Sequence, residues 1–166
     1  MRRLTVRLAL LVVLALPGLA SAKPAVPSWR DTHPWTTRTG TVTVGDITLD
    51  VELADTGELR SRGLSYRDSL EPGTGMLFVF PDASVETFWM REMRFCLDIV
   101  WINDHLITGA AERVCPIPDA ALADLPRYSS GAPVNFVLEV PAGWMELNGF
   151  GAGTAVEISL PDLPAP

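Results

Sequence analysis

Residues 47–53 read Ile-Thr-Leu-Asp-Val-Glu-Leu, and apolar side chains alternate with polar ones throughout this stretch. Successive side chains of a β-strand point to opposite faces, so a period of two predicts a strand with one buried and one solvent-facing side. Before it, Val42 and Val44 alternate with threonines, and Gly45-Asp46 provides a tight turn between the two segments. The folded part of the chain is therefore predicted to begin as β structure.

Six later stretches carry a similar signal, either as alternation or as a short continuous apolar run. The region 103–105 is predicted as a turn, and 116–132 as a long loop rich in Pro, Asp and Ala. Because most connections are short and join sequential strands, antiparallel pairing is expected. The predicted strands are 76–80, 86–90, 96–102, 106–114, 134–140 and 154–160.

Two short helices are expected between these strands. Asp55 is positioned to cap the first helix, Glu58 completes a capping box three residues later, and Gly63 is a natural left-handed terminator. The second helix follows the Pro-Ala-Gly at 141–143. About eight short strands with two brief helices predict a mainly β fold, a single-domain antiparallel β-sandwich or distorted barrel.

The two ends of the chain are expected to lie outside this domain. A basic start, a 12-residue apolar run over 8–19 and a small-residue A-x-A site at 20–22 form a secretory signal peptide, 1–22. The run is shorter than the roughly 20 residues that cross a bilayer, so we expect cleavage after residue 22 and export to the periplasm or the extracellular space. The remaining boundaries are a tether at 23–39, the domain at 40–160 and a tail at 161–166.

The exported chain is strongly acidic. Removal of residues 1–22 takes away three arginines and no acid, which leaves 10 Lys+Arg against 20 Asp+Glu, a net charge of −10. This charge repels phosphate backbones and provides no basic patch for anionic lipid. Nucleic acid is therefore not an expected partner, and contact with the membrane is expected only through the cleaved signal peptide.

Ordered motifs run along the predicted domain as three sets: Arg-Gly-Leu-Ser-Tyr-Arg at 62–67 with Gly-Met-Leu-Phe-Val-Phe at 75–80; Phe-Trp-Met at 88–90 with Leu-Asp-Ile at 97–99; and Tyr-Ser-Ser at 128–130 with Val-Leu-Glu-Val-Pro-Ala-Gly at 137–143. In order and spacing they resemble the domain of unknown function 192 (DUF192) family, over roughly residues 41–159. The resemblance implies a small β-sandwich of jelly-roll kind and no established activity. Two positions depart from the family pattern: Ser65 stands where Met is usual, and Glu92 stands where an Asn commonly follows the Trp-Met-Lys run.

Asp98 is an acidic residue inside the predicted strand 96–102, where the period of two places it on one face with Val100 and Ile102. A carboxylate on an apolar face costs several kcal/mol unless it is paired or hydrogen-bonded. One interpretation is that loop amides, or the arginines of the 62–67 motif, compensate it. The other is that it contacts a ligand, since perturbed groups also mark sites.

Arg62 and Arg67 flank the passage from the first helix into its loop, and a break at Gly63 would let them converge. With an aromatic wall, such a site would hold a small anion or a sugar. Surface salt bridges of the two arginines are the alternative. The predicted ligand-binding residues are Arg62, Arg67, Trp89, Asp98 and Tyr128.

Cys96 starts one strand of a predicted hairpin and Cys115 follows the end of the other, so the two thiols should meet at its open end. An exported chain favours a disulfide there. The alternatives are two free thiols or a redox pair, although no C-x-x-C motif is present.

No catalytic residue, metal or cofactor is predicted. The sequence has no G-x-S-x-G motif, and its two histidines, His33 and His105, show no metal-ligand spacing. The favoured function is a small-ligand binding or accessory domain of the envelope. One alternative is an envelope protein-interaction module that uses a sheet edge or the tryptophans of the tether. The other is a hydrolase of envelope polymer that uses paired carboxylates such as Asp98 with Glu92 or Glu139.

Overall fold

The computed structural model describes residues 38–160, which form nine β-strands and two short α-helices. The helices are α1 (Gly57–Arg62) and α2 (Trp144–Asn148), and a 3-10 turn covers Leu122–Asp124. The predicted signal peptide, nearly all of the tether and the tail lie outside the described residues. The strands are β1 (Thr39–Val44), β2 (Ile47–Ala54), β3 (Thr74–Ser84), β4 (Thr87–Phe88), β5 (Leu97–Asn103), β6 (Leu106–Val114), β7 (Tyr128–Ser129), β8 (Val134–Pro141) and β9 (Val156–Ser159).

Seven strands form one sheet in the order β6-β5-β8-β3-β2-β1-β9, and β4 pairs with β7 in a separate two-stranded sheet. The mainly β prediction is confirmed. The antiparallel expectation fails at one pair, because β2 and β3 run parallel, with Asp50 opposite Thr74 and Ala54 opposite Phe78. A parallel pair needs a long crossover. The connection over residues 55–73, which contains α1, provides it.

The sheet curls until its two edges approach each other. Leu106 on β6 forms a bridge with Ala155, just before β9, and the Val156 amide donates to the His105 carbonyl at 2.8 Å. The Ile107 amide likewise donates to the Thr154 carbonyl at 2.9 Å. Of the two predicted architectures, this partial closure corresponds to the distorted barrel.

Alternation along the strands supplies two hydrophobic cores, one on each face of the curled sheet. On β3, Leu77 belongs to the first cluster, whereas Met76 and Phe78 belong to the second. We call the first cluster's face the inner face and the other the outer face. Both faces are covered, which explains why residues 76–80 are continuously apolar. The outer cluster is completed by packed side chains from the loops and from the small second sheet, among them Leu70, Phe88, Met93, Phe95 and Tyr128.

Several local predictions need correction. Thr56, not Asp55, caps α1 by accepting a hydrogen bond from the Leu59 amide at 3.2 Å, and the Asp55 carboxylate instead pairs with Arg38. Gly63 ends the helix with a positive φ of 51°, although its ψ of −136° lies outside the left-handed helical region. The predicted strand 86–90 shrinks to the two residues of β4, since its partner β7, inside the predicted loop, is equally short.

The disulfide prediction is confirmed: Cys96 and Cys115 are bonded, and the neighbouring Leu97 and Val114 are paired across β5 and β6. The bond closes the open end of this hairpin. A cross-link over a separation of 19 residues limits the unfolded chain and contributes about 3 kcal/mol.

Candidate functional site

Asp98 is compensated by three backbone amides. Its carboxylate is fully buried on the inner face of β5 and accepts hydrogen bonds from the Arg113 amide at 2.7 Å, the Gly143 amide at 2.9 Å and the Met145 amide at 2.9 Å. Arg113 and Gly143 have positive φ values of 51° and 84°, so the carboxylate holds two irregular segments in place. Of the two interpretations of Asp98, the structure shows hydrogen bonding by backbone amides, although only Gly143 lies in a loop, since Arg113 belongs to β6 and Met145 to α2.

A cavity of 510 Å³ opens on the outer face, between the C-terminal end of α1, β3, β8 and the loop after β4. We call it the arginine pocket because four guanidinium groups contribute to its wall. Its charged members are Arg60, Arg62, Arg91, Arg127, Glu86 and Glu139, and its large apolar members are Leu64, Phe78, Phe80, Phe88, Trp89 and Met93. Its size falls in the range of about 300–1,000 Å³ that is common for small-molecule sites.

Two hydrogen bonds join the walls of this pocket. The Ser65 hydroxyl donates to the Arg91 carbonyl at 3.0 Å, and the Tyr66 amide donates to the Glu92 carbonyl at 2.8 Å. Tyr66 and Glu92 both have positive φ, 68° and 55°. Asn tolerates a positive φ better than most residues. The backbone conformation at position 92 therefore explains why the resembled family commonly has Asn there. The Glu92 side chain itself is exposed.

Trp89 contacts two of the arginines through its ring. The Arg127 Cζ atom is 3.8 Å from the centre of its ring, and the Arg91 Cζ atom is 5.9 Å away. Arg60 is held more firmly: its Nη1 donates to the Asp55 carbonyl at 2.9 Å and to the Val79 carbonyl at 2.8 Å, and it stacks 5.3 Å from Phe80. Stacking on an aromatic face orients a guanidinium group while leaving its edge N–H donors available.

Glu139 is the buried acid of the pocket. It lies on β8 opposite Met76 of β3 and Ile99 of β5, and only 5% of it is exposed. Within residues 38–160, no atom hydrogen-bonds to its buried Oε2. Burial raises the pKa of Glu139 to about 8, and nearby Arg67 opposes this only in part. At neutral pH the carboxyl group is therefore mostly protonated and uncharged.

Arg67 offsets the effect of burial on Glu139 only in part, and its guanidinium group forms hydrogen bonds with another carboxylate. It is 6% exposed and bonds Glu52 through both nitrogens, Nη1 to Oε1 and Nη2 to Oε2, each at 2.8 Å. Glu52 and Glu139 lie on either side of Met76 in the strand register, so the arginine sits near both acids. The forked pair is the strong geometry for arginine and carboxylate.

The five predicted ligand-binding residues do not gather in one place. Arg62 and Trp89 line the arginine pocket. Arg67 is paired with Glu52 beside a neighbouring cavity, and Tyr128 pairs with Phe88 across β7 and β4 and packs on the outer core. Asp98 points to the inner face, so it forms no pair with Glu139, which points to the outer face on the adjacent strand.

The sequence reasoning missed Arg60, Arg91 and Arg127 as members of the site. Arg91 and Arg127 come from distant loops, whereas Arg60 lies in α1, two residues before the predicted Arg62. Glu139 was considered only as a partner for Asp98. The alternation of Val137-Leu-Glu139 places this acid on an apolar face, the same signal that singled out Asp98. That signal would have found it.

Other site types receive no support from the part of the chain that the structure describes. None of its helices has the length and hydropathy to cross a bilayer. Over the same residues, 38–160, no three His, Cys, Asp or Glu side chains are grouped to hold a metal ion.

Comparison with known proteins supports the same fold. The sequence profile of DUF192, described as "Uncharacterized ACR", matches residues 40–158. A crystal structure of a candidate transcription regulator from Sinorhizobium meliloti 1021 is 30% identical, covers 74% of this chain and 95% of that one, and has a TM-score of 0.65. A protein of unknown function from Novosphingobium aromaticivorans DSM 12444 is 29% identical, with 82% and 94% of the two chains covered and a TM-score of 0.67. No curated protein matches the chain.

Proposed function

Because the chain belongs to the DUF192 family, which has no established activity, we propose a function from the arginine pocket itself: an exported domain that binds a small organic anion. The observation that carries this proposal is the grouping of four arginines in one cavity. The whole chain is acidic, with 13 Lys+Arg against 20 Asp+Glu. Four arginines around one cavity therefore form a local excess of positive charge in a protein of net negative charge.

The chemistry of the wall suits an anion that also has an apolar body. Guanidinium groups bind carboxylate and phosphate oxygens in pairs, and stacked arginines lose less freedom when they do so. Phe78, Phe88 and Met93 provide an apolar surface beside them. A sugar would use the same aromatic surface but would leave most of the positive charge uncompensated, so an anion is the better match.

Export is the second part of the proposal. It is supported by the features of residues 1–22 and by the Cys96–Cys115 disulfide, since such bonds persist in oxidising compartments. An exported protein cleaved at the expected site would begin at Lys23. The intact mass of the secreted product tests whether it does. Retention of residues 1–22 in that product would contradict cleavage.

The anion proposal is tested by thermal-shift measurements of the mature domain with carboxylates, phosphates and neutral sugars. A native-state ligand raises the melting temperature according to its affinity. The double variant Arg91→Gln/Arg127→Gln removes two exposed arginines of the pocket, and Arg94→Gln, an exposed arginine outside it, is the matched control. We expect anions to stabilise the wild type and the control, with at least about tenfold weaker binding by the double variant. Equal stabilisation of all three proteins would refute the proposal.

A hydrolase is the second candidate, because one cavity contains both Glu86 and the protonated Glu139. Two carboxyl groups in one cleft, one of them kept protonated by burial, are what many glycosidases use. Hydrolysis of an envelope polysaccharide that is lost in Glu139→Gln would favour this candidate.

The likeness to a candidate transcription regulator carries less weight, since a net charge of −7 disfavours binding to nucleic acid.

A further inference from the structure

We propose that the anion bound by the arginine pocket carries a neutral hydrogen-bonding group, a hydroxyl, amide or carbonyl, at the end away from its acid group, and that this neutral group hydrogen-bonds to the carboxyl group of Glu139. The inference rests on the proposed function and names the class of ligand. Its geometric basis is a buried carboxyl group whose Oε2 has no hydrogen-bond partner within residues 38–160 and which lines the cavity.

The polar groups of the pocket lie at two depths. Arg91 and Arg127 are exposed, so they mark the mouth, whereas Glu139 is 5% exposed and marks the floor. Phe78 and Phe88 contribute to the wall and contact each other edge-to-face, with ring centres 4.8 Å apart. A ligand that fills this space meets cations at one end, an apolar wall along its length and a carboxyl group at the other end.

The charges around Glu139 decide what its partner can be. An ammonium group on the ligand would be repelled, because the cavity already holds more cations than anions. A second acid group on the ligand would lose its water beside the Glu139 carboxyl group, which is itself costly to ionise. A neutral group avoids both costs and satisfies the unbonded oxygen. The charged groups that face the site are Arg60, Arg62, Arg91, Arg127, Glu86 and, from the neighbouring loop, Arg67 with its partner Glu52.

The number of protons taken up or released on binding distinguishes a neutral ligand group from an ammonium group. A hydroxyl or amide that accepts from Glu139 binds the protonated form, so near pH 8 binding takes up about half a proton from solution. An ammonium group binds the carboxylate and releases protons under the same conditions. Calorimetric titration in two buffers with different ionisation enthalpies measures the number of protons exchanged on binding.

Three benzoates that differ only in the group opposite the carboxylate make the test: 4-(hydroxymethyl)benzoate, 4-methylbenzoate and 4-(aminomethyl)benzoate. We expect the hydroxymethyl probe to bind about tenfold more tightly than the methyl probe, with proton uptake. Tightest binding by the aminomethyl probe with proton release, equal binding of all three, or binding by none would each overturn the inference.

Variants separate this inference from the proposed function. Glu139→Gln keeps a donor and an acceptor, so it should retain the preference for the hydroxymethyl probe but lose the proton uptake. Glu139→Leu should lose the preference, and Glu157→Gln, an exposed acid on β9, should behave as wild type. If binding depends on Arg91 and Arg127 but no variant of Glu139 changes the preference, the ligand class is wrong and the anion site stands. If anions bind without those arginines, the proposed function itself fails.

Discussion

Replacing Glu139 by Gln should abolish a steep loss of stability between weakly acidic and alkaline pH. The folded protein holds this carboxyl group with a pKa of about 8, against 4.5 for an exposed glutamate. Between those values the folded state binds a proton that the unfolded state has lost, so stability falls as pH rises. Below pH 4.5 both states are protonated, and above pH 8 both are ionised, so the effect is confined to this window.

The magnitude follows from the pKa difference. Each unit of difference corresponds to about 1.4 kcal/mol, so the shift from 4.5 to about 8 removes about 5 kcal/mol of stability across the window. This is a large share of the 5–15 kcal/mol that typically stabilises a domain. The glutamine variant has no titrating group at this position, and other carboxylates titrate alike in both proteins. The difference between variant and wild type therefore isolates Glu139.

Urea denaturation followed by tryptophan fluorescence, from about pH 5 to pH 9, measures that difference. Over this range we expect the free energy of unfolding of Glu139→Gln, relative to wild type, to grow by about 4 kcal/mol with increasing pH, because a small part of the full effect already falls below pH 5. Glu157→Gln, which removes an exposed acid, should run parallel to wild type. A constant difference between Glu139→Gln and wild type across the whole range would refute the reasoning.

Three further changes test the rest of the structure. Asp98→Asn should lower stability by about 2–3 kcal/mol, measured by urea denaturation, because three backbone amides lose a charged acceptor. Unchanged affinity for anions is expected, and weaker binding would instead implicate the inner face. Reduction of the Cys96–Cys115 bond, or its replacement by two serines, should cost about 3 kcal/mol, and no change in melting temperature on reduction would contradict that role. Glu92→Asn should raise stability by about 0.5–1 kcal/mol because Asn accepts its positive φ more readily, whereas a loss of stability would show that the Glu side chain has a role of its own.

The outcome at Asp98 and Glu139 shows how far reasoning from the sequence reaches. Alternation correctly placed Asp98 with Val100 and Ile102, and the energetic cost of a buried carboxylate correctly implied a compensating partner. The same reasoning applied to Glu139 would have identified a second buried acid. It would not have shown that backbone amides satisfy one of them, while the other lines a cavity and has a buried oxygen without a hydrogen-bond partner in residues 38–160, since both faces of the sheet are covered.

The sequence pattern over neighbouring residues determined the β class, the hairpin of β5 and β6 and its disulfide. The direction of side chains in a strand and the pairing of adjacent strands depend on residues that are close in the chain. The tertiary structure alone decided the parallel pairing of β2 with β3 and the composition of the arginine pocket. Arg60, Arg91, Arg127 and Glu139 are far apart in sequence. They meet only because a crossover and two hydrogen-bonded loops fold onto one face of the sheet, and those long-range contacts leave no periodic signal.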